Sequence, residues 1–416
     1  MSRKNSIDHT DMRDMNLALI LQTLYNDAPL SRAALAAETG LNKATVSSIV
    51  KDLLNLGFAR ELGIDLTSME VGRPAINLEP NPDAGYMIGM EIGVDFISVI
   101  VVNFATDIVS RRYENTNILG NQQAVLDRAL LLLQESYEQI KQRKRPLFGI
   151  GIGVPGLVDV ADGKLLFAPN MGWRDVPLKE MVEAQFGVPV FVANEANLAA
   201  LGECLFGAGM NSNFMVYIST DVGLGGGIVL NGNLLHGATG FAGEVGHMTV
   251  ERNGLPCNCG NRGCWETVAG RQALFRRVEE AIQAGQSSRI TGMINRDFSK
   301  LSISLIVEAA KQNDQVALAA LRETGEWLGI GIAGLLNIIN PQQVVLGGSL
   351  SVAQAFLLPV IHETIDNRAW SWVQDKVEIV VAKHGEDAAV MGGVAIVFQN
   401  VIKNPRKWMQ ETAVSS

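Results

Sequence analysis

The chain has 416 residues, with 34 Lys and Arg against 43 Asp and Glu for a formal net charge of −9, and 47% of its residues are apolar. At about 150 residues per domain, this length predicts two or three domains, and the apolar share excludes a largely disordered chain. A protein that is basic throughout is also excluded, so any nucleic-acid surface must be local.

The opening residues, MSRKNSIDHTDMRDMN, lack the apolar stretch of a secretory signal. The most apolar long run, 86–105, is interrupted by Glu91 and Asp95 and does not read as a membrane span. The expectation is a soluble, cytoplasmic, multidomain protein without a membrane partner.

Residues 13–56 read as three helices in short succession. Within them, SRAALAAETGLNKATVSSIVKDLLNLG has helix-turn-helix spacing. Ser31 is an N-cap candidate, Leu35 and Ala36 face inward, and Gly40 permits the turn between helices. Leu41, Val46 and Ile49 supply the apolar face of the second helix. Its outward face carries short polar side chains and one lysine, suited to phosphate and major-groove contacts. The candidate DNA contacts of the two helices are Ser31, Arg32, Asn42, Lys43, Ala44, Thr45, Ser47, Ser48 and Lys51. Residues 58–78 read as a two-stranded wing punctuated by Pro74, Pro80 and Pro82. Arg73 sits on an extended tip that can enter a narrow minor groove. Residues 1–80 carry eight Lys and Arg against ten Asp and Glu, so DNA contact falls to the acid-free stretch Leu41 to Val50 and to the wing. The bland alternative is an ordinary three-helix packing domain.

After Gly85 the texture becomes β-rich: YMIGMEIG, FISVIVVNF and DIVSRRYEN, then a helix over 121–142 and a buried strand, LFGIGIGVPG. The basic run KQRKR (141–145) reads as the solvated last turn of that helix. The same order of three strands, helix and strand recurs from Phe214, with helical patterns at 270–284, 301–311 and 314–338. A duplicated α/β body of two lobes with a cleft between them follows. The 42 glycines mark many tight turns.

Residues 244–266, EVGHMTVERNGLPCNCGNRGCWE, place His247 ten residues before Cys257 and space the cysteines C-x-C-x4-C. One imidazole and three thiolates, from His247, Cys257, Cys259 and Cys264, make a closed tetrahedral Zn2+ site of the structural kind. The fourth cysteine, Cys204, reads as a buried apolar residue on a helix. Glu244 and Glu266 flank the cluster, and a metal-anchored loop can hold such carboxylates as acceptors for sugar hydroxyls.

GEVGH, CNCGNRGCWETVAG and VPGLVD together resemble the ROK family of sugar kinases and transcriptional repressors, over roughly residues 86–400. The winged helix in front resembles the repressor branch. GLNKATVSSIV, NMGWRDVPLK and NEANLAALGE are most similar to its bacterial xylose repressors. The resemblance implies an N-terminal winged helix-turn-helix (1–80) followed by a two-lobed, actin-like, sugar-kinase-type body (81–416). The implied lobes are 86–200 with a C-terminal helix at 388–402, and 201–387. It further implies that Asn170, Asn194, Glu195, Glu244, His247 and Glu266 face a sugar, an aldose such as D-xylose. Trp173 is an aromatic that could stack on a sugar face, though core or rim packing is its commoner role.

The kinase chemistry departs from the family pattern. Glu195 stands where active members carry the aspartate base. The first phosphate loop, Asp-x-Gly-Gly-Thr in kinases, reads Glu91-Ile92-Gly93-Val94-Asp95. The second reads Asp221-Val222-Gly223 before the surviving Gly225 to Gly227. Gly347 and Gly348 resemble the adenosine-side turn. The expectation is a non-enzymatic repressor that binds no ATP. It would form a homodimer or tetramer on palindromic operator DNA and be released by sugar. The alternatives are an ATP-dependent aldose kinase and a repressor whose body is captured by a partner protein.

Overall fold

The computed structural model describes residues 9–64, 76–116, 121–221, 223–374, 376–403, 405 and 408. Its N-terminal part contains α1 (His9–Asp27), β1 (Leu30–Ser31), α2 (Arg32–Thr39), α3 (Lys43–Asn55), β2 (Ala59–Ile64) and β3 (Ile76–Pro80). Ser31 caps α2 by accepting the Ala34 amide at 3.2 Å. Gly40, at φ +69°, ends α2 in the left-handed region, and Asn42 caps α3 through the Thr45 amide at 2.8 Å. The three strands form one small sheet in the order β1–β3–β2. The wing therefore has a third strand, contributed by the turn before α2, where the sequence suggested two.

Two five-stranded sheets follow. The first contains β4 (Tyr86–Ile92), β5 (Phe96–Asn103), β6 (Ile108–Asn115) and β7 (Leu147–Val154). After the small three-stranded sheet of β8 (Leu157–Asp159), β9 (Lys164–Ala168) and β10 (Trp173–Val176), it is completed by β11 (Val190–Asn194). The second contains β12 (Phe214–Ser219), β13 (Gly225–Leu230), β14 (Asn233–Leu234), β15 (Gln343–Gly347) and β16 (Glu378–Val381). The first runs β11–β7–β4–β5–β6, the second β16–β15–β12–β13–β14. Each sheet opens with an antiparallel meander and adds two parallel strands on the other side of its first strand. The two lobes thus repeat one topology.

Helix α4 (Gln122–Lys141) covers the outer face of the first sheet, burying Val125, Ala129, Leu132, Leu133 and Ile140. Then come α5 (Leu178–Phe186), α6 (Glu195–Phe206) and α7 (Glu266–Ala269). The second lobe is built out by α8 (Arg271–Gln283), α9 (Ile290–Met293), α10 (Ile303–Lys311), α11 (Gln315–Ile339), α12 (Gln354–Arg368) and α13 (Ser371–Gln374). The final helix, α14 (Ala388–Lys403), returns to the first lobe and packs on β4, β7 and α6. That contact is backbone to backbone: a Cβ added at Gly392 would lie 1.8 Å from the Leu198 carbonyl oxygen. The expected lobe division at 200/201 falls inside α6, which touches both α14 and the second sheet.

The winged helix does not hang on a free linker. Leu17, Ile20, Leu21 and Leu24 of α1 share one buried cluster with Phe58, Phe104, Phe148, Val394, Phe398 and Trp408. Asn81, between the two parts, donates to the Gly57 carbonyl at 2.8 Å. Among the described residues, no helix is long and apolar enough to cross a membrane.

Candidate functional site

The two lobes enclose a cleft of about 480 Å³. All six sequence-predicted sugar contacts line it: Asn170, Asn194, Glu195, Glu244, His247 and Glu266. They arrive from both halves. Asn194 and Glu195 lie where β11 turns into α6, and Asn170 follows β9. Glu244 and His247 lie on the loop after β14, and Glu266 opens α7.

Their roles differ more than the sequence suggests. Asn194 is fully committed: Oδ1 caps α6 by accepting the Ala196 and Asn197 amides at 2.9 and 3.2 Å. Its Nδ2 donates to the Gly156 carbonyl at 3.2 Å and to Glu195 Oε2 at 2.9 Å. Asn194 therefore positions Glu195, leaving that carboxyl as the group presented to the cleft. Asn170 accepts from Asn258 Nδ2 at 3.3 Å, a cleft residue that the sequence reading missed. Trp173 is 6% exposed within the core of the first lobe, so it packs and does not stack on a ligand.

The cleft is strongly acidic. Glu91, Asp95, Glu195, Asp221, Glu244, Glu266, Glu386 and Asp387 line it, against Arg111 and Arg271. Arg111 is already paired with Asp387 at 2.5 Å. Burial pushes the Glu195 carboxyl up to about 8, reinforced by the nearby charges of Glu244 and Asp221. Burial likewise holds Glu91 well above the usual carboxylate range, with Glu195, Asp221 and Asp387 adding to it. With its value near 8, Glu195 carries a proton near neutral pH and can donate as well as accept.

Asp221 explains what became of the second phosphate loop. Its Oδ1 accepts the Ser349 amide at 2.8 Å and its Oδ2 the Ser219 hydroxyl at 2.9 Å. The backbone N–H just after Gly348, a natural donor to a phosphate, is thus occupied by the chain's own carboxylate. Matching loop sequences could not reveal this, because only the fold brings Asp221 of the second loop against Ser349, 128 residues away.

His247, Cys257, Cys259 and Cys264 converge, their ligand atoms all within 4.8 Å of one another. Cys259 Sγ lies 3.7 Å from Cys264 Sγ, and Cys257 Sγ 3.6 Å from His247 Nδ1. A tetrahedral site with bonds of about 2.3 Å to sulfur and about 2.0 Å to nitrogen has edges of about 3.8 and 3.6 Å. The donor set and spacing therefore fit a metal ion. Cys257 Sγ lies 2.7 Å from Glu266 Oε1, which sets the cluster against the cleft wall. The contact is a hydrogen bond only while the thiol is protonated, and a metal-bound thiolate has no proton to donate there. On its other side, His247 Nε2 lies 3.8 Å from Glu244 Oε2. Cys204 is buried on α6, and burial raises its thiol to about 11.

On the winged helix, Lys43, Ala44, Ser47 and Lys51 are exposed along one side of α3, and Thr45 is half-buried at its edge. Four other candidates have internal partners. Ser31 and Asn42 are helix caps, Arg32 pairs with Glu61 at 2.9 Å, and Ser48 accepts from Arg13 at 3.2 Å. Arg13, which the sequence reading missed, also pairs with Asp52 at 2.6 Å and braces α1 against α3. Arg73 lies outside the described residues.

Comparison with known proteins agrees with this architecture. Residues 18–60 match the pattern of winged helix-turn-helix DNA-binding segments, and residues 87–400 match that of the ROK family. The xylose repressor of Caldicellulosiruptor bescii is 35% identical over 398 residues, 96% of this chain and 99% of that protein. A crystallised ROK family transcriptional regulator, a homolog of the E. coli MLC protein, superposes with TM-score 0.81 at 28% identity. That match covers 97% of this chain and all of that one. A ROK family glucokinase from Streptomyces griseus, solved with glucose and AMPPNP, gives TM-score 0.67 at 32% identity, covering 75% of this chain and 99% of its own. With three quarters of its length matching the family pattern and a winged helix in front, the chain belongs to the ROK family.

Proposed function

We propose that the protein is a sugar-responsive transcriptional repressor of a carbohydrate-utilisation operon, released from its operator when an aldose, D-xylose first, fills the cleft. The observation that carries the reading is the union of a winged helix with a sugar-kinase-like cleft in which Asp221, of the second phosphate loop, takes the Ser349 amide after the adenosine-side glycine pair. Glu195, Glu244 and Glu266 are the acceptors for sugar hydroxyls, with Asn170 and His247 beside them and Asn194 fixing Glu195. Buried polar groups of this kind penalise a ligand that lacks a hydroxyl. His247, Cys257, Cys259 and Cys264 hold a structural zinc that keeps Glu244 and Glu266 in place. In a cytoplasmic homodimer, two copies of α3 enter successive major grooves of a palindromic operator through Lys43, Ala44, Thr45, Ser47 and Lys51. Arg73 reaches the minor groove from the wing.

The test is fluorescence anisotropy on DNA from upstream of the protein's own gene, titrated with a panel of aldoses. D-xylose is expected to weaken operator binding 5- to 150-fold, a coupling of about 1–3 kcal/mol. Unchanged affinity with every aldose refutes the effector role.

A second reading, an aldose kinase, draws support from Glu195, since an acidity near 8 suits a general base working near neutral pH. Asp95 and Asp221 oppose it by repelling nucleotide phosphates. ADP release in a coupled assay across the same sugars would establish this reading.

A further inference from the structure

Two helices run from the cleft to the DNA-binding part, side by side. Glu195, the first residue of α6, and Ala388 and Ala389, the first two of α14, line the cleft. The 12 residues of α6 span about 18 Å at 1.5 Å per residue. Its last residue, Phe206, reaches Tyr25 near the end of α1, with ring centroids 5.8 Å apart. Phe398, in the later half of α14, lies 4.4 Å from the same ring. The helices cannot slide past each other freely, because Gly392 and Gly202 hold their backbones in direct contact. A Cβ at Gly202 would sit 2.7 Å from the Gly392 nitrogen.

Tyr25 is also anchored at its polar end. Thr106 donates its hydroxyl proton to the Ala105 carbonyl at 2.7 Å, so Tyr25 is the donor in the bond between the Tyr25 and Thr106 hydroxyls. Beside the ring is a cavity of about 440 Å³, lined by Arg60 and Glu79 of the wing and by Leu205 and Met210 of the body. The aromatic contact thus borders open space in which wing and body can change their spacing. The opposite end of α1 carries Arg13, which grips α3 at Asp52 and Ser48. One unbroken series of contacts runs from the cleft through α6 and α14, Phe206 and Phe398, Tyr25, α1 and Arg13 to α3.

We propose that Tyr25 is the positioning residue through which occupancy of the cleft is transmitted to the recognition helix. The proposal rests on the repressor reading above and names its regulation. Lobe movement around a bound sugar shifts the starts of α6 and α14, and their ends move Phe206 and Phe398 against Tyr25. Helix α1 then rotates over the junction cavity and carries α3 with it, altering the spacing of the two recognition helices.

The experiment uses the full-length protein and compares wild type with Tyr25→Phe, Phe206→Leu and Phe148→Leu. Phe148 lies in the same buried cluster but is not among the rings stacked on Tyr25. Operator affinity is read by anisotropy with and without D-xylose, and sugar affinity by calorimetry with and without operator. For Tyr25→Phe and Phe206→Leu, operator affinity alone and sugar affinity alone stay within about threefold of wild type. The release factor falls from the 5- to 150-fold range to under about threefold, and sugar affinity with and without DNA differs by that same reduced factor, as reciprocity demands. Phe148→Leu keeps the wild-type response. Full responses in both junction variants, or an equal loss in Phe148→Leu, overturn the role of Tyr25 while leaving the repressor reading intact. A wild-type protein that ignores every aldose overturns the repressor reading and the coupling together.

Discussion

Replacing Glu195 with glutamine tests whether the cleft really stores a protonated carboxyl. The group moves from an ordinary 4.5 to about 8 on folding, chiefly through burial. At about 1.4 kcal/mol per unit, the shift corresponds to at most about 5 kcal/mol between protonation states. Glu195 keeps some contact with the open cleft, so a realistic effect is about half of that. The sign follows from linkage. A carboxyl raised in the folded state stabilises fully below pH 4.5 relative to its ionised form, and that contribution is lost as pH climbs through 8. Wild-type stability therefore falls between pH 5.5 and 7.5 by about 1–3 kcal/mol from this group, a contribution that Glu195→Gln lacks. Glu91 acts in the same direction and remains in both proteins; because the Glu195 charge adds to its shift, the difference between them reports Glu195 together with its coupling to Glu91. Urea unfolding at pH 5.5, 6.5 and 7.5 provides the measurement. If the gap between variant and wild type does not change with pH, Glu195 is ionised throughout, and the cleft is wetter and less mutually repulsive than described.

Three further outcomes are expected. Cys259→Ser should lose the bound metal by elemental analysis and weaken aldose binding at least tenfold by calorimetry, because Glu244 and Glu266 lose their anchor; full metal content would show that the remaining ligands suffice. Lys51→Ala and Lys43→Ala should each lower the slope of log operator affinity against log salt by about 1.8, one phosphate contact from each subunit of the proposed dimer, whereas Arg32→Ala, already tied to Glu61, should leave it unchanged. Gly392→Ala should cost about 3 kcal/mol or more in urea unfolding, since its Cβ would meet the Leu198 carbonyl oxygen at 1.8 Å and neither backbone can retreat.

Features that repeat locally could be read from the sequence. The amphipathic period of α3, the cap at Ser31 and the C-x-C-x4-C spacing are short-range signals, and the structure reproduces each. The meander-then-crossover order was legible twice because its central strands, β4, β7 and β12, are nearly continuous buried runs. Joint burial of Leu17 to Leu24 with Phe398 and Trp408 was not, since residues from opposite ends of the chain leave no period to detect. Asn194 illustrates a different limit. An amide before a helix reads equally well as ligand contact or cap, and only its four hydrogen bonds decide. For Trp173 the sequence favoured core or rim packing over stacking on a ligand, and the pairing of β9 with β10, which turns it inward, agrees.

The duplicated topology gives a physical reason for the site to be where it is. In each lobe the parallel strands β7 and β11, or β15 and β16, end at the cleft, so the segments following them must open there. A helix start is a donor-rich place that favours anions. In this chain the segments at those positions are met by protein carboxylates: Glu195 at α6, Glu386 and Asp387 ahead of α14, and Asp221 on the Ser349 amide. As proposed above, the arrangement disfavours an incoming triphosphate, yet it leaves acceptors and the raised carboxyl of Glu195, which suit a neutral polyol. On the proposed reading, sugar recognition has outlived phosphate recognition. The two helices that start at the cleft then serve another end, because they terminate on α1, where the DNA-binding part shares its core with the body.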